Sequence, residues 1–255
     1  MKKLTYWLFL LLIVCTAPLY AQELTVWCSG GLMPVIQQVA TRWEDRSGIG
    51  LHIEAAPSMG DTPQSIPQRL AHRQHADVLI MVDAGIRPLV KKGWVEERDK
   101  VVLANSRIAM AVPAGDPVPD ISSTDRLRSV LLQVGSVAYS DSASGLYVSQ
   151  QLFQRLGIAP QMAAKSRMIQ AIPVGKIVAA HQVDIGFQQL SELQAVPGLT
   201  IVGLLPQEVQ QITLYSAIPL KNSQPQSRSF IHYLASGEVA DVIREEGMEP
   251  LNFSH

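Results

Sequence analysis

Short apolar runs alternate with amphipathic stretches along most of this chain. Strand-like runs cover residues 24–28, 51–55 and 77–82, and further helices are predicted up to about residue 75 and from Ala84 onward. Between the first two runs, apolar residues recur at helical spacing: Leu32, Ile36, Val39 and Trp43. Apolar residues repeated every three or four positions form one face of an α-helix that can pack on a sheet. The alternation of strands with such helices is typical of βαβ units and predicts an α/β fold.

The same alternation resumes after a turn-rich stretch at 114–120, which we interpret as lying at the crossing into a second lobe. The elements predicted beyond it are strands at 136–139, 184–187 and 210–218 and helices at 145–156, 174–181, 224–236 and 238–246. We therefore predict a two-lobed fold of the periplasmic binding protein type (type II-like), with a mixed sheet flanked by helices in each lobe. Lobe 1 is predicted to comprise 22–106 and 211–255, and lobe 2 to comprise 107–210.

The N-terminal residues have the order of a secretory signal peptide. Lys2 and Lys3 precede an apolar run at 6–14, and small residues follow up to Ala21. We predict that residues 1–21 are removed during export and that the mature protein is periplasmic. Because Val14 precedes Cys15, where a lipoprotein signal needs a small residue, we expect no lipid anchor.

Composition excludes several classes of function. The net charge of −1 argues against a nucleic-acid-binding protein, and hydrophobic residues at 47% argue against disorder. Only Cys28 would remain after cleavage, and the six histidines are scattered, so we expect neither a disulfide nor a metal site. The sequence has no glycine-rich phosphate loop, and we expect no cofactor. No later apolar run is long enough to anchor the chain in a membrane, and we expect a monomer.

Three loops that follow predicted strands combine small residues with hydroxyl groups. They cover 29–31, 58–62 and 140–145. In open α/β sheets, ligands bind beyond the carboxyl ends of the strands, where helix N-termini present backbone N–H groups to anions. Each loop alone is also explained as an ordinary helix cap or turn. Together, the three loops predict a binding site for a small anion.

Motifs along nearly the whole predicted mature chain resemble the periplasmic molybdate-binding protein family. The matching segments are 24–28, 76–80, 105–107, 144–147 and 184–187. The resemblance implies two strands crossing a hinge, and capture of a tetrahedral oxyanion by hydroxyls and amides for an ABC importer. By position it also implies ligand contacts at Gly31, with Ser29 close by, and at Ser58, Ser144, Gly145 and Ala171.

Two departures from that family suggest a larger ligand. Gln188 and Gln189 follow a strand where the molybdate binders place a tyrosine, and the loop at 57–63 is longer. These features resemble a branch of the fold that includes aconitate isomerase, which implies a tricarboxylate ligand. The residues predicted to bind it are Ser29, Gly30, Gly31, Ser58, Met59, Gly60, Arg69, Ser142, Ser144, Gly145, Tyr147, Ala171, Gln188 and Gln189.

Isomerisation of aconitate requires a base that removes a proton beside a carboxylate and returns it across the allylic system. We predict Asp141 in the third loop as this base, with Tyr147 or a histidine as alternatives. Arg69 and Arg107 are candidate carboxylate clamps, although a solvated helix face and a surface ion pair explain them equally well. Asp141 itself is also explained as a turn residue.

The resulting functional hypothesis is a periplasmic isomerase that interconverts cis- and trans-aconitate. The first alternative is the binding protein of an ABC importer for a tricarboxylate or a molybdate-like oxyanion. The second alternative is a sensory or adhesin-like protein that uses the same cleft. All three share one fold, so the fold cannot distinguish them.

Overall fold

The computed structural model of the chain describes residues 22–251. The predicted signal peptide lies outside the described residues. Ten strands form one continuous, strongly curved sheet, with helices on both of its faces. None of the described helices is long and apolar enough to cross a bilayer.

The elements follow one another in alternating order. The strands are β1 Glu23–Cys28, β2 Gly50–Ala55, β3 Val78–Val82, β4 Val101–Pro113, β5 Val137–Ser140, β6 Ser166–Ile169, β7 Ile185–Gln189, β8 Leu199–Leu204, β9 Ile212–Pro219 and β10 Glu249–Pro250. The helices are α1 Met33–Ser47, α2 Ile66–Ala71, α3 Ile86–Lys91, α4 Thr124–Gln133, α5 Ala143–Tyr147, α6 Phe153–Arg155, α7 Ala159–Ala163, α8 Val174–Ala179, α9 Leu190–Gln194, α10 Gln226–Leu234 and α11 Gly237–Glu245.

The long strand β4 joins the two lobes. Its first half, up to Arg107, pairs with β9, whereas its second half, from Ile108, pairs with β7 and β8. Strands β2, β1 and β3 extend the sheet on the β9 side, and β5 and β6 extend it beyond β7. Gln210 fixes the crossing point, because its side chain accepts a hydrogen bond from the amide of Ile108 and donates one to the carbonyl of the same residue.

Each lobe has its own hydrophobic core. In lobe 1, α1 packs on the sheet, and Trp43 stacks against Phe230 of α10 with ring centroids 5.2 Å apart. In lobe 2, a separate cluster is centred on Met110 and Phe187, which are fully buried. The cleft between the lobes is lined mainly by loops, together with side chains at the edge of the lobe 1 core such as Val82 and Tyr215.

Two helices in lobe 1 are shorter than predicted. The helix predicted to reach residue 75 ends at Ala71, because the chain turns at Arg73 with a φ of 59°. The helix predicted from Ala84 begins only at Ile86, after a 3₁₀ turn over Asp83–Gly85. The first change lengthens the loop that leads into β3, and the second lengthens the turn at the carboxyl end of β3.

Lobe 2 contains elements that the hydrophobic pattern did not predict. These are helices α4, α7 and α9 and strands β6 and β8. The predicted helix 145–156 begins two residues earlier, at Ala143, and includes a π-helical turn over Val148–Leu152. Strand β7 extends to Gln189, so both glutamines belong to the strand; Gln189 is also the N-cap residue of α9, but its side chain makes no capping bond.

Candidate functional site

A cavity of about 310 Å³ lies between the lobes, at the carboxyl ends of β1, β5 and β7. It lies where the topology of open α/β sheets places ligands. The residues that line it are Ser29, Gly30, Ala55, Ala56, Pro57, Thr62, Gln64, Val82, Ser140, Asp141, Ser142, Ala171, Ile172, Pro173, Gln188, Glu192 and Tyr215. Of the predicted site residues, Ser29, Gly30, Asp141, Ser142, Ala171 and Gln188 meet here.

The first loop forms the lobe 1 wall of the cavity. Ser29 is 5% exposed, and its hydroxyl makes no capping bond to the 3₁₀ turn Gly30–Leu32 that follows. The N-terminus of this turn leads directly into α1, so its first amides are oriented toward the cavity. Gly31 does not line the cavity, because it packs under Tyr215. A Cβ on Gly31 would lie 2.1 Å from the Tyr215 hydroxyl oxygen.

The third loop forms the facing wall in lobe 2. Ser140 Oγ lies 2.7 Å from Ser142 Oγ and 3.2 Å from Ser144 Oγ, so three hydroxyls form one cluster. Ser144 is buried behind the two hydroxyls that reach the cavity, and Gly145 packs directly over the carbonyl of Ser140. Asp141 lies between the serines, half-buried, on the cavity wall.

Glu192 is a half-buried lining residue that the sequence did not point to. It lies in the first turn of α9, four residues after Gln188 at the end of β7. The Gln188 side chain is fixed by the Val174 amide, which donates to its Oε1 at 2.9 Å. Its Nε2 therefore faces Glu192 and donates to Oε1 of that carboxylate, also at 2.9 Å. The side-chain amide of Gln188 is thus held in place, and it orients the carboxylate of Glu192.

The environment of Glu192 favours its protonated form. Burial raises the pKa of Glu192 from 4.5 to about 7, and the nearby charge of Asp141 acts in the same direction. Hydrogen bonds from the Gln188 side chain and the Gln189 backbone oppose this shift without reversing it. A carboxyl group that titrates near neutral pH in a cavity is suited to proton transfer.

Tyr215 was also missed by the sequence analysis. It lies on β9, is 2% exposed, and lines the cavity from lobe 1. Burial raises its pKa well above the usual value, with further contributions from Glu192 and Cys28, so the phenol remains a neutral hydrogen-bond donor. The only sequence signal for Tyr215 was its position in the strand that returns to lobe 1.

Gln189 has a different role from its neighbour Gln188. Its Nε2 donates across the lobes to Thr213 Oγ1 at 2.9 Å, and it does not line the cavity. Ser191 makes a second contact across the lobes, from its hydroxyl to the carbonyl of Gly31 at 2.8 Å. The Ser191 bond holds α9 against the first loop, and the Gln189 bond ties the end of β7 to β9.

Ala171 lines the cavity with an unusual backbone conformation. Its φ of 62° lies in the left-handed region, which a residue with a Cβ adopts only at a cost of about 1–2 kcal/mol. This conformation reverses the chain between β6 and α8, beside the hydroxyl cluster. The strain is compatible with the backbone-donor role that the family resemblance implies for Ala171.

Four further predicted site residues, all from the second loop or α5, lie outside this cavity. Ser58 is buried, and its hydroxyl accepts a hydrogen bond from the Val82 amide at 2.8 Å. The neighbouring Met59 lines a second cavity of about 410 Å³ in the cleft, which also includes Tyr147. The carbonyl of Gly60 accepts a bond from Ser65, which shapes the second loop. The Tyr147 hydroxyl is taken up within lobe 2, where it donates to the Val209 carbonyl at 2.6 Å.

The two arginine candidates also lie away from the cavity. Arg69 forms an ion pair with Glu54, and its guanidinium lies 5.0 Å from the ring centroid of Trp27. The positive charge of Arg69 is therefore already paired with Glu54 within lobe 1. Arg107 is exposed at the crossing point of β4.

Within residues 22–251, no Lys, Arg or His side chain lines the cavity. The same part of the chain contains no cluster of three His, Cys, Asp or Glu side chains that could hold a metal ion. An anion in this cavity would therefore be met by hydroxyls, amides and the protonated form of Glu192 rather than by cations. That donor set is suited to binding a small anion in a closed, largely dehydrated cleft.

Comparisons with known proteins agree with this architecture. The chain is 48% identical over 246 residues to a protein named aconitate isomerase from Pseudomonas sp., with 94% of each chain covered. The molybdate-binding protein of Azotobacter vinelandii superposes with a TM-score of 0.72 at 18% identity, over 89% of this chain and 98% of that one.

A tungstate-binding protein of Desulfovibrio alaskensis G20 gives a TM-score of 0.62 at 15% identity, over 91% of this chain and 99% of that one. At such identities the two structures support the fold alone. The family model of the bacterial extracellular solute-binding protein matches residues 24–249. This chain therefore belongs to the bacterial extracellular solute-binding protein family.

Proposed function

We propose that this protein is a periplasmic aconitate isomerase, which interconverts cis- and trans-aconitate by moving one proton across an allylic system. The observation that carries the proposal is the pair of carboxyl groups, Asp141 and Glu192, in a cavity otherwise lined by hydrogen-bond donors and apolar groups. The relative that is 48% identical and named aconitate isomerase supports the choice of substrate.

The size of the cavity supports an organic ligand. At about 310 Å³ it reaches the range of roughly 300–1,000 Å³ that is typical of small-molecule sites. Ser29, Ser140, Ser142 and Tyr215 supply hydroxyl donors on opposite walls. A ligand with three carboxylates can use donors on both lobes at once, whereas a single oxyanion would reach only part of them.

The reaction itself needs one mobile proton. A proton leaves the methylene carbon beside one carboxylate, the double bond shifts, and a proton is added at the far carbon of the allylic unit. No oxidant, metal or nucleotide takes part in this exchange. The neutral donors on the cavity walls would stabilise the negative charge that develops on the carboxylates during the shift.

An absorbance assay tests the proposal. The mature protein, dialysed against a chelator, is expected to convert trans-aconitate to the cis isomer, and cis-aconitate to the trans isomer. Product identity is verified by proton NMR. The absence of turnover in either direction, together with tight binding of molybdate or citrate in calorimetry, would overturn the enzyme assignment.

A binding protein for an ABC importer is the second candidate. Its support is the similarity of fold to molybdate- and tungstate-binding proteins. In that case the cavity would hold a tricarboxylate or an oxyanion for delivery to a partner permease. Both candidates place the protein in the periplasm, as the predicted signal peptide at 1–21 suggests, and we propose a monomer in both.

A further inference from the structure

We propose that Glu192 is the catalytic proton carrier of this site, and that it enters the ligand complex as the protonated acid. This inference rests on the proposed function, because it assigns a residue to the proton shift. It differs from the prediction made from the sequence, which gives the base role to Asp141.

The position of Glu192 is fixed more closely than that of any other acid on the cavity wall. Gln188 orients the carboxylate through a 2.9 Å hydrogen bond, and Val174 in turn orients Gln188. Gly30 covers the same carboxylate from lobe 1. A Cβ at Gly30 would lie 2.2 Å from Glu192 Oε1, so the absence of a side chain there leaves room for the acid.

The titratable groups around Glu192 are all ones that could add only negative charge. The titratable groups that face it are Asp141 from the loop after β5 and Tyr215 from β9, with Cys28 behind Tyr215. Since no Lys, Arg or His of residues 22–251 lines the cavity, a bound tricarboxylate has no cation to neutralise it. Two ionised carboxylates beside a polyanion in a dehydrated cavity would repel it strongly.

A proton on Glu192 removes the part of this repulsion that comes from Glu192. The protonated acid donates a hydrogen bond to a ligand carboxylate, and burial, which raises the pKa of Glu192 to about 7, makes this form available at neutral pH. The complex then holds one proton shared between two carboxylates. Ligand binding above neutral pH therefore takes up one proton from solution.

The shared proton also prepares the reaction. Glu192 passes its proton to the carboxylate next to the methylene group, which makes the neighbouring C–H bond more acidic. The Glu192 carboxylate then takes a methylene proton, and the electron pair of that C–H bond spreads over the allylic carbons. Glu192 returns this proton to the far allylic carbon and regains its own proton from the ligand carboxyl group. The double bond has moved, and every proton is accounted for.

Calorimetry with a ligand that cannot react tests the protonation step. Propane-1,2,3-tricarboxylate carries the same three carboxylates without the double bond. Measured in two buffers of different ionisation enthalpy at about pH 8, its binding to the wild-type protein is expected to take up close to one proton. Glu192→Gln keeps the hydrogen bond from Gln188 and is expected to take up none. Equal proton uptake by both proteins would refute the protonated complex.

Turnover tests the catalytic role. Glu192→Gln is expected to lose at least about 10³-fold in kcat while still binding the tricarboxylate. Glu208→Gln is the matched control, because Glu208 is exposed on the surface of lobe 2 and should leave kcat unchanged. Thermal unfolding of both variants verifies that they fold, and Glu192→Asp, which keeps a shorter acid, should recover part of the lost turnover.

Asp141→Asn distinguishes the role of Asp141 from that of Glu192. Loss of the Asp141 charge should lower the pKa of Glu192, so proton uptake on binding should extend to a lower pH while turnover is reduced but measurable. If Asp141→Asn abolishes turnover and Glu192→Gln does not, Glu192 is not the proton carrier and the assignment to Asp141 holds. A wild-type protein that binds the tricarboxylate but turns over neither isomer refutes the proposed function instead.

Discussion

Replacement of Glu192 by Gln should change how folding stability depends on pH, even without a ligand. In the folded protein the pKa of Glu192 is raised from 4.5 to about 7, chiefly by burial. The folded state therefore holds the proton more tightly than the unfolded state does. Below about pH 4.5 the Glu192 carboxyl group does not lower the free energy of unfolding, because it is protonated in both states. As the pH rises toward 7, it lowers the free energy of unfolding progressively.

The size of this effect follows from the two pKa values. A carboxyl group whose pKa rises from 4.5 to about 7 on folding costs about 3 kcal/mol of folding free energy once it is ionised in both states. Glu192→Gln removes this term, and Tyr215, whose pKa Glu192 also raises, stays protonated over the same pH range in both proteins. The variant should therefore gain about 3 kcal/mol relative to the wild type between about pH 4.5 and about pH 8.

Urea unfolding of both proteins across this pH range measures the difference directly. At this chain length the gain corresponds to a shift in Tm of roughly 5–10 °C at the alkaline end. Glu208→Gln, on the exposed surface, should follow the wild-type curve at every pH. If the curves of the wild type and Glu192→Gln run parallel, the acid is not buried as described, and the argument for a protonated complex fails with it.

Two further substitutions test the architecture around the cavity. Gly31→Ala should destabilise the protein by about 1–3 kcal/mol in urea unfolding, because the added Cβ would lie 2.1 Å from the buried Tyr215 hydroxyl. Gly237→Ala is the control: a Cβ there has no neighbour within 4 Å, so its effect on stability should be close to zero. Arg69→Ala should cost about 1–2 kcal/mol in the same assay by breaking the ion pair with Glu54, while KM for trans-aconitate stays within about twofold of the wild type. A tenfold rise in KM would instead support the sequence prediction that Arg69 contacts the substrate.

The layered α/β fold could be predicted from the chain because its strongest elements carry a regular pattern. Helix α1 shows apolar residues on one face and Gly48 at its C-cap in the left-handed conformation. The elements that were missed carry a weak pattern. Strand β6 has one buried residue in four, and α4 buries only Leu127 and Leu131. Such elements are held by their neighbours in the sheet and the core, which a local pattern cannot show.

The sequence pointed to the loops of the cavity and to Asp141, but not to Glu192. Ser29 and the serines around Asp141 follow strands, and small polar residues after strands are a local signal. Glu192 gives no such signal, because a single Glu in the first turn of a short helix is most often a surface residue that favours the helix dipole. Its burial arises from contacts that α9 makes with the first loop, 160 residues away in the chain.

A similarly long separation along the chain explains why Tyr215 could not be predicted. In sequence it is one apolar residue of a strand, and its hydroxyl reaches the ligand cavity only because β9 lies between β3 and β4. Arg69 shows the opposite case. A positive charge near an anion-binding loop suggests a clamp, yet Glu54 on the neighbouring strand and the Trp27 ring take up that charge. The partner of a charged side chain is thus decided by strand order rather than by proximity in sequence.

A carboxyl group on the wall of an anion-binding cavity restricts both candidate functions in the same way. Ionised, Glu192 would oppose every polyanion that enters, whereas protonated it becomes one more donor. A binding protein and an isomerase can therefore share the protonated complex. The difference is whether the ligand offers the acid a C–H bond to exchange with. Molybdate and tungstate have none, and a saturated tricarboxylate lacks the double bond that lowers the barrier. In aconitate, the methylene group next to both a carboxylate and an alkene supplies that bond, so in this cavity the ligand determines whether the proton on Glu192 stays in place or moves.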